Sequence, residues 1–281
     1  EIAVHPDATI LVTNPGWLTQ EMLDSLPNLR WLQCISAGTD PLAALRLPAG
    51  CQVTSASGVH APQMTELLFF FMLGLLRDVR SVLARQDKAQ WQPAPQRLLA
   101  GRTLLVVGVG AIAEALALRC APFGMRLVGL SAHRTEAPGF DAMRPIAELH
   151  AALGEADIVV VLTPHTAATH HLIDAAALAA MRSNAFLINV ARGAVVDTAA
   201  LVDALRAETI AGAGLDVFEE EPLPDTSPLW RMRNVLMTPH IGGWSDFYNE
   251  QLAPFISENL RCWAEGRPLH NLIVDGAVAR R

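Results

Sequence analysis

Three polar residues in the third quarter of the chain have types and an order that suit proton transfer on an anionic substrate. Arg192 follows an apolar run, Glu221 directly precedes a proline, and His240 follows a second apolar run. A guanidinium fork binds a carboxylate, histidine exchanges protons near neutral pH, and an acid beside the imidazole fixes its tautomer. Glu219 and Glu220 are equally placed, so local chemistry leaves three candidates for that acid.

A glycine-rich turn upstream of these residues is typical of a dinucleotide site. Its pattern is Gly108-x-Gly110-x-x-Ala113, between a predicted strand and a predicted helix. Gly108 allows the tight turn, Gly110 lets a diphosphate approach the backbone, and Ala113 permits close helix–strand packing. The N–H groups that begin the helix attract phosphate. A dinucleotide beside an arginine and a histidine indicates hydride transfer at a carbon next to a carboxylate.

The end of the next predicted strand indicates which dinucleotide binds. Sites for NAD usually carry an acid there, about 20 residues on, that binds the ribose 2′-hydroxyl. This chain has Ser131 instead, followed by His133 and Arg134. A hydroxyl and a guanidinium would receive a 2′-phosphate, and no acid between these positions would repel it. We therefore expect NADP(H) to be preferred, with NAD(H) possible if Arg134 is merely solvated.

Short apolar runs and the helical segments between them predict the elements that hold these residues. The predicted strands are residues 104–107, 127–130, 158–162, 186–190, 212–217 and 235–238. The predicted helices between them are residues 114–120, 146–153, 175–181 and 198–206. Strands that are apolar throughout are covered on both faces. Their alternation with helices predicts a doubly wound parallel sheet.

The rest of the chain predicts a second, smaller domain of the same kind. Strands are predicted at residues 9–12, 31–35 and 52–55, and helices at 19–26, 63–83 and 247–262. Two prolines mark residues 91–96 as a linker. The last segment, 268–274, is too short for a domain and should pack back on the first. We therefore predict a discontinuous substrate domain (1–96 and 244–281) and a dinucleotide-binding domain (97–243).

The composition excludes several classes of protein. A formal charge of −7 gives no basic surface for nucleic acid. The longest apolar run, residues 67–76, is half of the roughly 20 residues that cross a bilayer, so it predicts a buried helix and no membrane partner. The cysteines have neither disulfide nor metal-site spacing, which indicates reduced thiols in the cytoplasm and no metal; they are Cys34, Cys51, Cys120 and Cys262.

Several sequence blocks together carry a specific resemblance. They are NVARGAVVD (189–197), GLDVFEEEPLP (214–224) and TPHIGG (238–243), with the glycine turn at 108–113, LTPHT (162–166) and SAGTD (36–40). They resemble the signature blocks of the D-isomer-specific 2-hydroxyacid dehydrogenases over nearly the whole chain. The resemblance implies an α/β protein of two Rossmann-like doubly wound parallel-sheet domains with an interdomain active-site cleft.

The resemblance also assigns roles to single residues. It makes His240 the acid/base, Glu221 its partner and Arg192 the clamp for the substrate. The implied substrate-binding residues are Ala37, Gly38, Arg192 and Trp244. The implied cofactor-binding residues are Gly108, Gly110, Ala111, Ile112, Ser131, His133, Arg134, Thr163, Pro164, Val190, Ala191, Asp216, His240 and Gly242. Among these, Asp216 would lie near the nicotinamide amide.

The implied activity is reduction of a 2-oxo acid by NADPH to a D-2-hydroxy acid, as in the glyoxylate and hydroxypyruvate reductase branch of the family. A homodimer through the cofactor domain is implied as well. Two alternatives stay open: an NAD(H)-sensing corepressor without turnover, and a formate-dehydrogenase-like enzyme. The second is disfavoured because that branch pairs its histidine with glutamine, whereas this chain has Glu221.

The chain departs from the family pattern at a few positions. Ser55 stands where the family often has asparagine, and Ser131 stands where it usually has an acid. The family begins with a further strand and helix, which we expect to be missing here. Trp244 has two open interpretations, a wall of the substrate pocket or a residue packed in the hinge between domains.

Overall fold

The computed structural model describes residues 5–274, and it resolves the chain into short strands and helices. The strands are β1 (Ile10–Thr13), β2 (Trp31–Cys34), β3 (Gln52–Thr54), β4 (Thr103–Val107), β5 (Arg126–Ser131), β6 (Ala142–Pro145), β7 (Ile158–Val161), β8 (Phe186–Asn189), β9 (Gly212–Leu215), β10 (Val235–Met237) and β11 (Leu272–Val274). The helices are α1 (Gln20–Asp24), α2 (Ala61–Leu76), α3 (Val79–Gln86), α4 (Ala111–Cys120), α5 (Leu149–Leu153), α6 (Ala175–Ala180), α7 (Thr198–Arg206) and α8 (Tyr248–Ala264). None of the described helices is long and apolar enough to cross a membrane.

The first compact unit combines the beginning and the end of the chain, up to His60 and from Gly243 onward. Its sheet has the order β1-β2-β3-β11, with the first three strands parallel and β11 antiparallel to β3. Trp263 of α8 stacks on Trp31 of β2, with 5.5 Å between ring centroids. The hydroxyl of Tyr248 donates to the carbonyl of Ile35 at 2.6 Å. The segment 248–274 therefore packs on the strands β1 to β3, as the sequence predicts for residues 268–274.

The second unit, Ala61–Gly242, is built on a seven-stranded parallel sheet. The strand order is β10-β9-β8-β7-β4-β5-β6. One apolar core lies between this sheet and α5, α6 and α7, and a second lies between the sheet and α2 and α4. Helices on both faces of a parallel sheet confirm the predicted doubly wound α/β class.

The sequence predicts six of these strands and misses β6. This strand is at the edge of the sheet, its residues are half-buried or exposed, and it includes an arginine and a proline. An edge strand needs no continuous apolar run, and proline is tolerated there. The apolar pattern that marks the buried strands is therefore absent from β6.

The division into units differs from the predicted domain boundary at residue 96. Residues 61–96 lie in the second unit because α2 packs on its sheet, where Phe71 fills the space over Gly214 of β9. The predicted linker, residues 91–96, has no regular secondary structure but lies within this unit. The predicted long helix 63–83 is two helices, since Asp78 has a positive φ of 46° between α2 and α3.

The predicted burial of the run 67–76 holds for one face of α2. Leu68, Phe71 and Met72 are buried, whereas Phe70 and Leu73 are exposed. A helix that packs on a sheet through one stripe leaves its opposite side to solvent.

Candidate active site

The carboxyl ends of the parallel strands carry most of the predicted site residues of the second unit. Val190, Ala191 and Arg192 follow β8, Asp216 follows β9, and His240 follows β10. In an open α/β sheet this edge is where ligands bind. The fold thus brings to one edge residues that are far apart in the sequence.

His240 and Glu221 form a hydrogen-bonded pair. The Nδ1 atom of His240 is 2.6 Å from Oε2 of Glu221, and the second carboxylate oxygen accepts the N–H of Phe218 at 2.9 Å. The backbone of His240 has a positive φ of 53°, and its N–H donates to the carbonyl of Asp216 at 2.8 Å. Such a backbone costs a non-glycine residue about 1–3 kcal/mol and persists only where its surroundings fix it. The imidazole is therefore held at both its ring and its backbone.

Glu219 has a different partner from Glu221. Its carboxylate is bonded to Nε2 of His171 and accepts the N–H of Thr198 at 3.1 Å, at the start of α7. Burial raises the pKa of Glu219, but the hydrogen bonds from Thr198 and His171 lower it more, so the net shift is downward. All three acids are exposed as whole residues, so their hydrogen-bond partners are what separate Glu219 from Glu221.

Arg192 lies in a loop that buried polar and small residues hold in place. The side chain of Asn189, buried at the end of β8, donates to the carbonyl of Arg192 at 2.9 Å and accepts the N–H of Ala191 at 3.1 Å. A methyl group on Gly193 would lie 1.9 Å from the carbonyl carbon of Phe218. The loop of Arg192 therefore packs directly against the segment that carries Glu221, and only glycine fits at position 193.

Asp216 holds the loop that carries His240. Its buried carboxylate accepts the hydroxyl of Thr238 at 2.6 Å and the N–H groups of Ile241 and Gly242 at 3.0 Å each. A Cβ on Gly242 would lie 2.8 Å from this carboxylate, so glycine permits the approach. The resemblance implies that Asp216 lies near the nicotinamide amide. The structure adds that both of its oxygens are already bonded to the histidine loop.

The glycine turn has the geometry that a dinucleotide needs. Gly108 has a positive φ of 96°, and a Cβ there would lie 2.5 Å from the backbone nitrogen of Thr163. A Cβ on Gly110 would meet nothing within 4 Å, so there is space above the turn. Helix α4 begins at Ala111, and no side chain caps it. Its first N–H groups, including that of Ile112, therefore suit a phosphate.

The segment after β5 is held by Ser131. The hydroxyl of Ser131 accepts the N–H groups of His133 at 3.2 Å and of Arg134 at 3.0 Å. The guanidinium of Arg134 forms an ion pair of 2.7 Å with Glu114, in the first turn of α4, and its other terminal nitrogen lies 3.4 Å from the carbonyl of Val109. Arg134 thus lies beside the glycine turn, and it pairs with an acid that the local sequence does not indicate.

Other predicted residues lie outside this edge. Ala37, Gly38 and Trp244 belong to the first unit, where the hydroxyl of Ser36 donates to the carbonyl of Gly38 at 2.7 Å. The side chain of Trp244 is 79% exposed. The contacts of these residues with substrate stay predictions. Thr163 and Pro164 belong to the second unit. The carbonyl of Pro164 accepts the hydroxyl of Thr169 at 2.7 Å.

A small group of potential metal ligands lies in the first unit. Among the described residues, ligand atoms of Glu258, Cys262 and His270 lie within 4.8 Å of one another. The Glu258 carboxylate already forms ion pairs with Arg261 and Arg267. Cationic partners on the carboxylate compete with a metal ion, so this group does not change the expectation that no metal takes part.

Comparison with known proteins decides the family. A family model described as "D-isomer specific 2-hydroxyacid dehydrogenase, NAD binding domain" matches residues 69–242. The chain belongs to the D-isomer specific 2-hydroxyacid dehydrogenases. The resemblance drawn from the sequence blocks is therefore confirmed, and the protein is an oxidoreductase whose second unit carries the family's NAD-binding domain.

Relatives within the 2-hydroxyacid dehydrogenases cover most of the chain. A glyoxylate reductase from Thermococcus litoralis is 34% identical over 90% of this chain and 80% of its own length. A glyoxylate/hydroxypyruvate reductase B from Yersinia pestis is 35% identical over 92% of this chain and 82% of its own. A D-isomer specific 2-hydroxyacid dehydrogenase from Xanthobacter autotrophicus, solved in complex with NADPH and MES, is 33% identical with a TM-score of 0.88, over 98% of this chain and 87% of that one.

Four further residues shape this candidate site, and the sequence pattern does not predict their roles. Asn189 and Gly193 shape the loop of Arg192, Phe218 supplies the N–H that fixes Glu221, and Glu114 pairs with Arg134. A signal existed for Asn189, because an amide at the end of an otherwise apolar strand needs a partner. No signal in the sequence connects Phe218 or Glu114 to their partners.

Proposed function

We propose that this dehydrogenase reduces small 2-oxo acids, glyoxylate and hydroxypyruvate among them, to D-2-hydroxy acids with NADPH as the preferred reductant. The observation that carries the proposal is the 2.6 Å bond between His240 and Glu221 at the carboxyl edge of the sheet, beside the loop of Arg192. The names of the relatives from Thermococcus litoralis and Yersinia pestis, glyoxylate reductase and glyoxylate/hydroxypyruvate reductase B, support this substrate class.

The residues of the site fit a nicotinamide dinucleotide. The space over Gly110, the positive φ of Gly108 and the uncapped start of α4 would hold its diphosphate. Buried Val190 and Ala191 would form the apolar surface beside the ring. When bound, the reduced nicotinamide supplies the hydride that adds to C2 of the oxo acid.

Two side chains perform the remaining chemistry in this proposal. The guanidinium of Arg192 binds the substrate carboxylate and polarises the adjacent ketone. The Nδ1–H of His240 donates to Glu221, so Nε2–H is the proton donor to the oxygen that becomes an alkoxide as hydride adds. The product gains one hydride at C2 and one proton at its oxygen, and His240 is left neutral. Glu221 orients the ring through this hydrogen bond.

Preference for NADPH rests on the segment after β5. Arg134 offers a cation beside the glycine turn, and Ser131 fixes the backbone from which this side chain begins. The NADPH complex of the Xanthobacter autotrophicus relative supports the same choice.

We also propose a homodimer in a reducing, cytoplasmic compartment. Exposed apolar side chains on and after α2 and α4 offer a surface for a second copy; they are Phe70, Leu73, Leu118 and Phe123. Light scattering coupled to size exclusion tests the dimer, and a monomeric mass would contradict it.

The proposed reducing compartment is supported by the four cysteines, which are all free and buried.

The experiment that tests the function is a kinetic panel. Glyoxylate, hydroxypyruvate, phenylpyruvate and a branched 2-oxo acid are each assayed with NADPH and with NADH, and the product is resolved on a chiral column. We expect turnover of the small acids, a D product and a higher kcat/KM with NADPH. Tight binding of a dinucleotide without turnover of any acid would contradict the proposal and support the cofactor-sensing alternative.

A further inference from the structure

An acid lies beside the predicted 2′-phosphate site, although none stands among residues 131–134 at the end of β5. Glu114 comes from the first turn of α4 instead, and its Oε1 atom is 2.7 Å from a terminal nitrogen of Arg134. The two side chains are each 37% exposed, so the pair lies at the surface and solvent reaches it.

We propose that Glu114 limits the preference for NADPH over NADH by competing with the 2′-phosphate for Arg134. This inference rests on the proposed function. A carboxylate and a phosphate are alternative partners for the same guanidinium fork. A bound 2′-phosphate would also bring negative charge close to Glu114, and like charges at short range repel.

In the segment after β5, the backbone is fixed and the guanidinium of Arg134 is the group that can change partner. Ser131 accepts the backbone N–H of Arg134 at 3.0 Å, which fixes the start of the side chain. The contact of the guanidinium with the carbonyl of Val109 is long, at 3.4 Å, and therefore weak. The ion pair with Glu114 is thus the main interaction that a phosphate must replace. With NADH the carboxylate has no phosphate to repel, and it remains available to a ribose hydroxyl, the usual role of an acid in NAD sites.

The test measures binding rather than turnover. Dissociation constants of NADPH, NADH and adenosine 2′,5′-bisphosphate are determined by calorimetry for the unmodified protein and for Glu114→Gln. We expect the variant to bind NADPH and the bisphosphate about two- to fivefold more tightly, the value of one exposed ion pair. The affinity for NADH should stay equal or fall.

A matched control separates this effect from the loss of any surface ion pair. Glu258 is also 37% exposed and pairs with arginine, but it lies in the first unit. Glu258→Gln should leave all three dissociation constants unchanged. Glu114→Ala, which removes the same charge with a residue that favours helix, should shift the constants in the same direction as Glu114→Gln.

Two results would overturn the inference. Weaker NADPH binding in both Glu114 variants would show that the acid only positions Arg134 for the phosphate. An unchanged ratio of NADPH to NADH affinity would show that it has no influence. Failure of the unmodified protein to bind either dinucleotide would instead contradict the proposed function, so the two failures are distinguishable.

Discussion

The loops after β8, β9 and β10 are held by buried side chains, whereas the guanidinium of Arg134, after β5, is held mainly by a surface ion pair. On the first side, Asn189 and Asp216 are buried and have polar partners for their side-chain oxygens. On the second, Arg134 and Glu114 are each 37% exposed. Both regions lie along the same edge of one sheet, so they differ in the burial of their side chains and not in their place in the fold.

The buried loops carry the residues for proton transfer, whereas the exposed ion pair carries the residue for cofactor choice. A buried carboxylate that accepts several hydrogen bonds fixes a loop in one conformation, and losing it is costly. An exposed ion pair contributes little to stability and is easily changed. We infer that the proton-transfer residues tolerate few substitutions, whereas the preference between NADPH and NADH can be tuned by one residue.

The largest effect should come from the substrate clamp on the buried side. Arg192→Ala removes the cation that binds and polarises the oxo acid, and kcat/KM should fall by about 1,000-fold, as for loss of a transition-state donor. Steady-state kinetics with glyoxylate check this. Arg182→Ala, on an exposed arginine that pairs with Asp157 in the same unit, should stay near the unmodified value. A similar loss in both variants would contradict the assignment.

The next effect concerns the carboxylate that orients the imidazole. Glu221→Gln should lower kcat by about 100-fold, less than in a buried triad because this pair is half-exposed. Glu219→Gln is the matched control, since Glu219 is bonded to His171 rather than to His240. Equal losses of kcat in the two variants would show that the two acids are not separated as the structure indicates.

A substitution at Gly193, next to Arg192, should have a smaller effect on activity and a clear effect on stability. Gly193→Ala places a methyl group 1.9 Å from the backbone of Phe218, and we expect the free energy of unfolding to fall by about 1–3 kcal/mol. Urea denaturation measures it. Gly154→Ala is the control: its new methyl group meets nothing closer than 3.5 Å, so no such clash should lower its stability. An unchanged midpoint for Gly193→Ala would contradict the close packing of these loops.

The smallest effect belongs to the exposed side. Arg134→Ala should lower the ratio of kcat/KM for NADPH to that for NADH by about tenfold, the value of one hydrogen-bonded charge, with kcat for NADH little changed. Arg119→Ala, an exposed position of α4, serves as control. An equal fall of kcat/KM with NADPH and with NADH would show that Arg134 does not bind the 2′-phosphate.

Much of the cofactor-binding sheet could be predicted from the sequence because its central strands are apolar throughout. The same rule missed β6, whose edge position requires no such run. The unit boundary could not be read from the prolines of residues 91–96, because packing of Phe71 on Gly214 assigns α2 to the second unit.

The site shows the same limit. The types of Arg192 and His240 indicate their chemistry, but local sequence did not distinguish Glu221 from Glu219. That distinction comes from which histidine each acid meets, and those contacts join residues 19 and 48 positions apart. The pair of Glu114 with Arg134 is equally nonlocal, so Ser131 and Arg134 alone gave an incomplete prediction of cofactor preference.

The most direct test of His240 as the proton donor compares the two histidines that pair with acids of residues 219–221. His240→Gln and His171→Gln are assayed for NADPH oxidation with glyoxylate, and NADPH binding is measured for both. We expect kcat to fall by about 100- to 10,000-fold in His240→Gln, the contribution of a general acid, while NADPH still binds. In His171→Gln we expect kcat to change little. Retention of near-normal kcat in His240→Gln, with loss in His171→Gln, would contradict this role of His240.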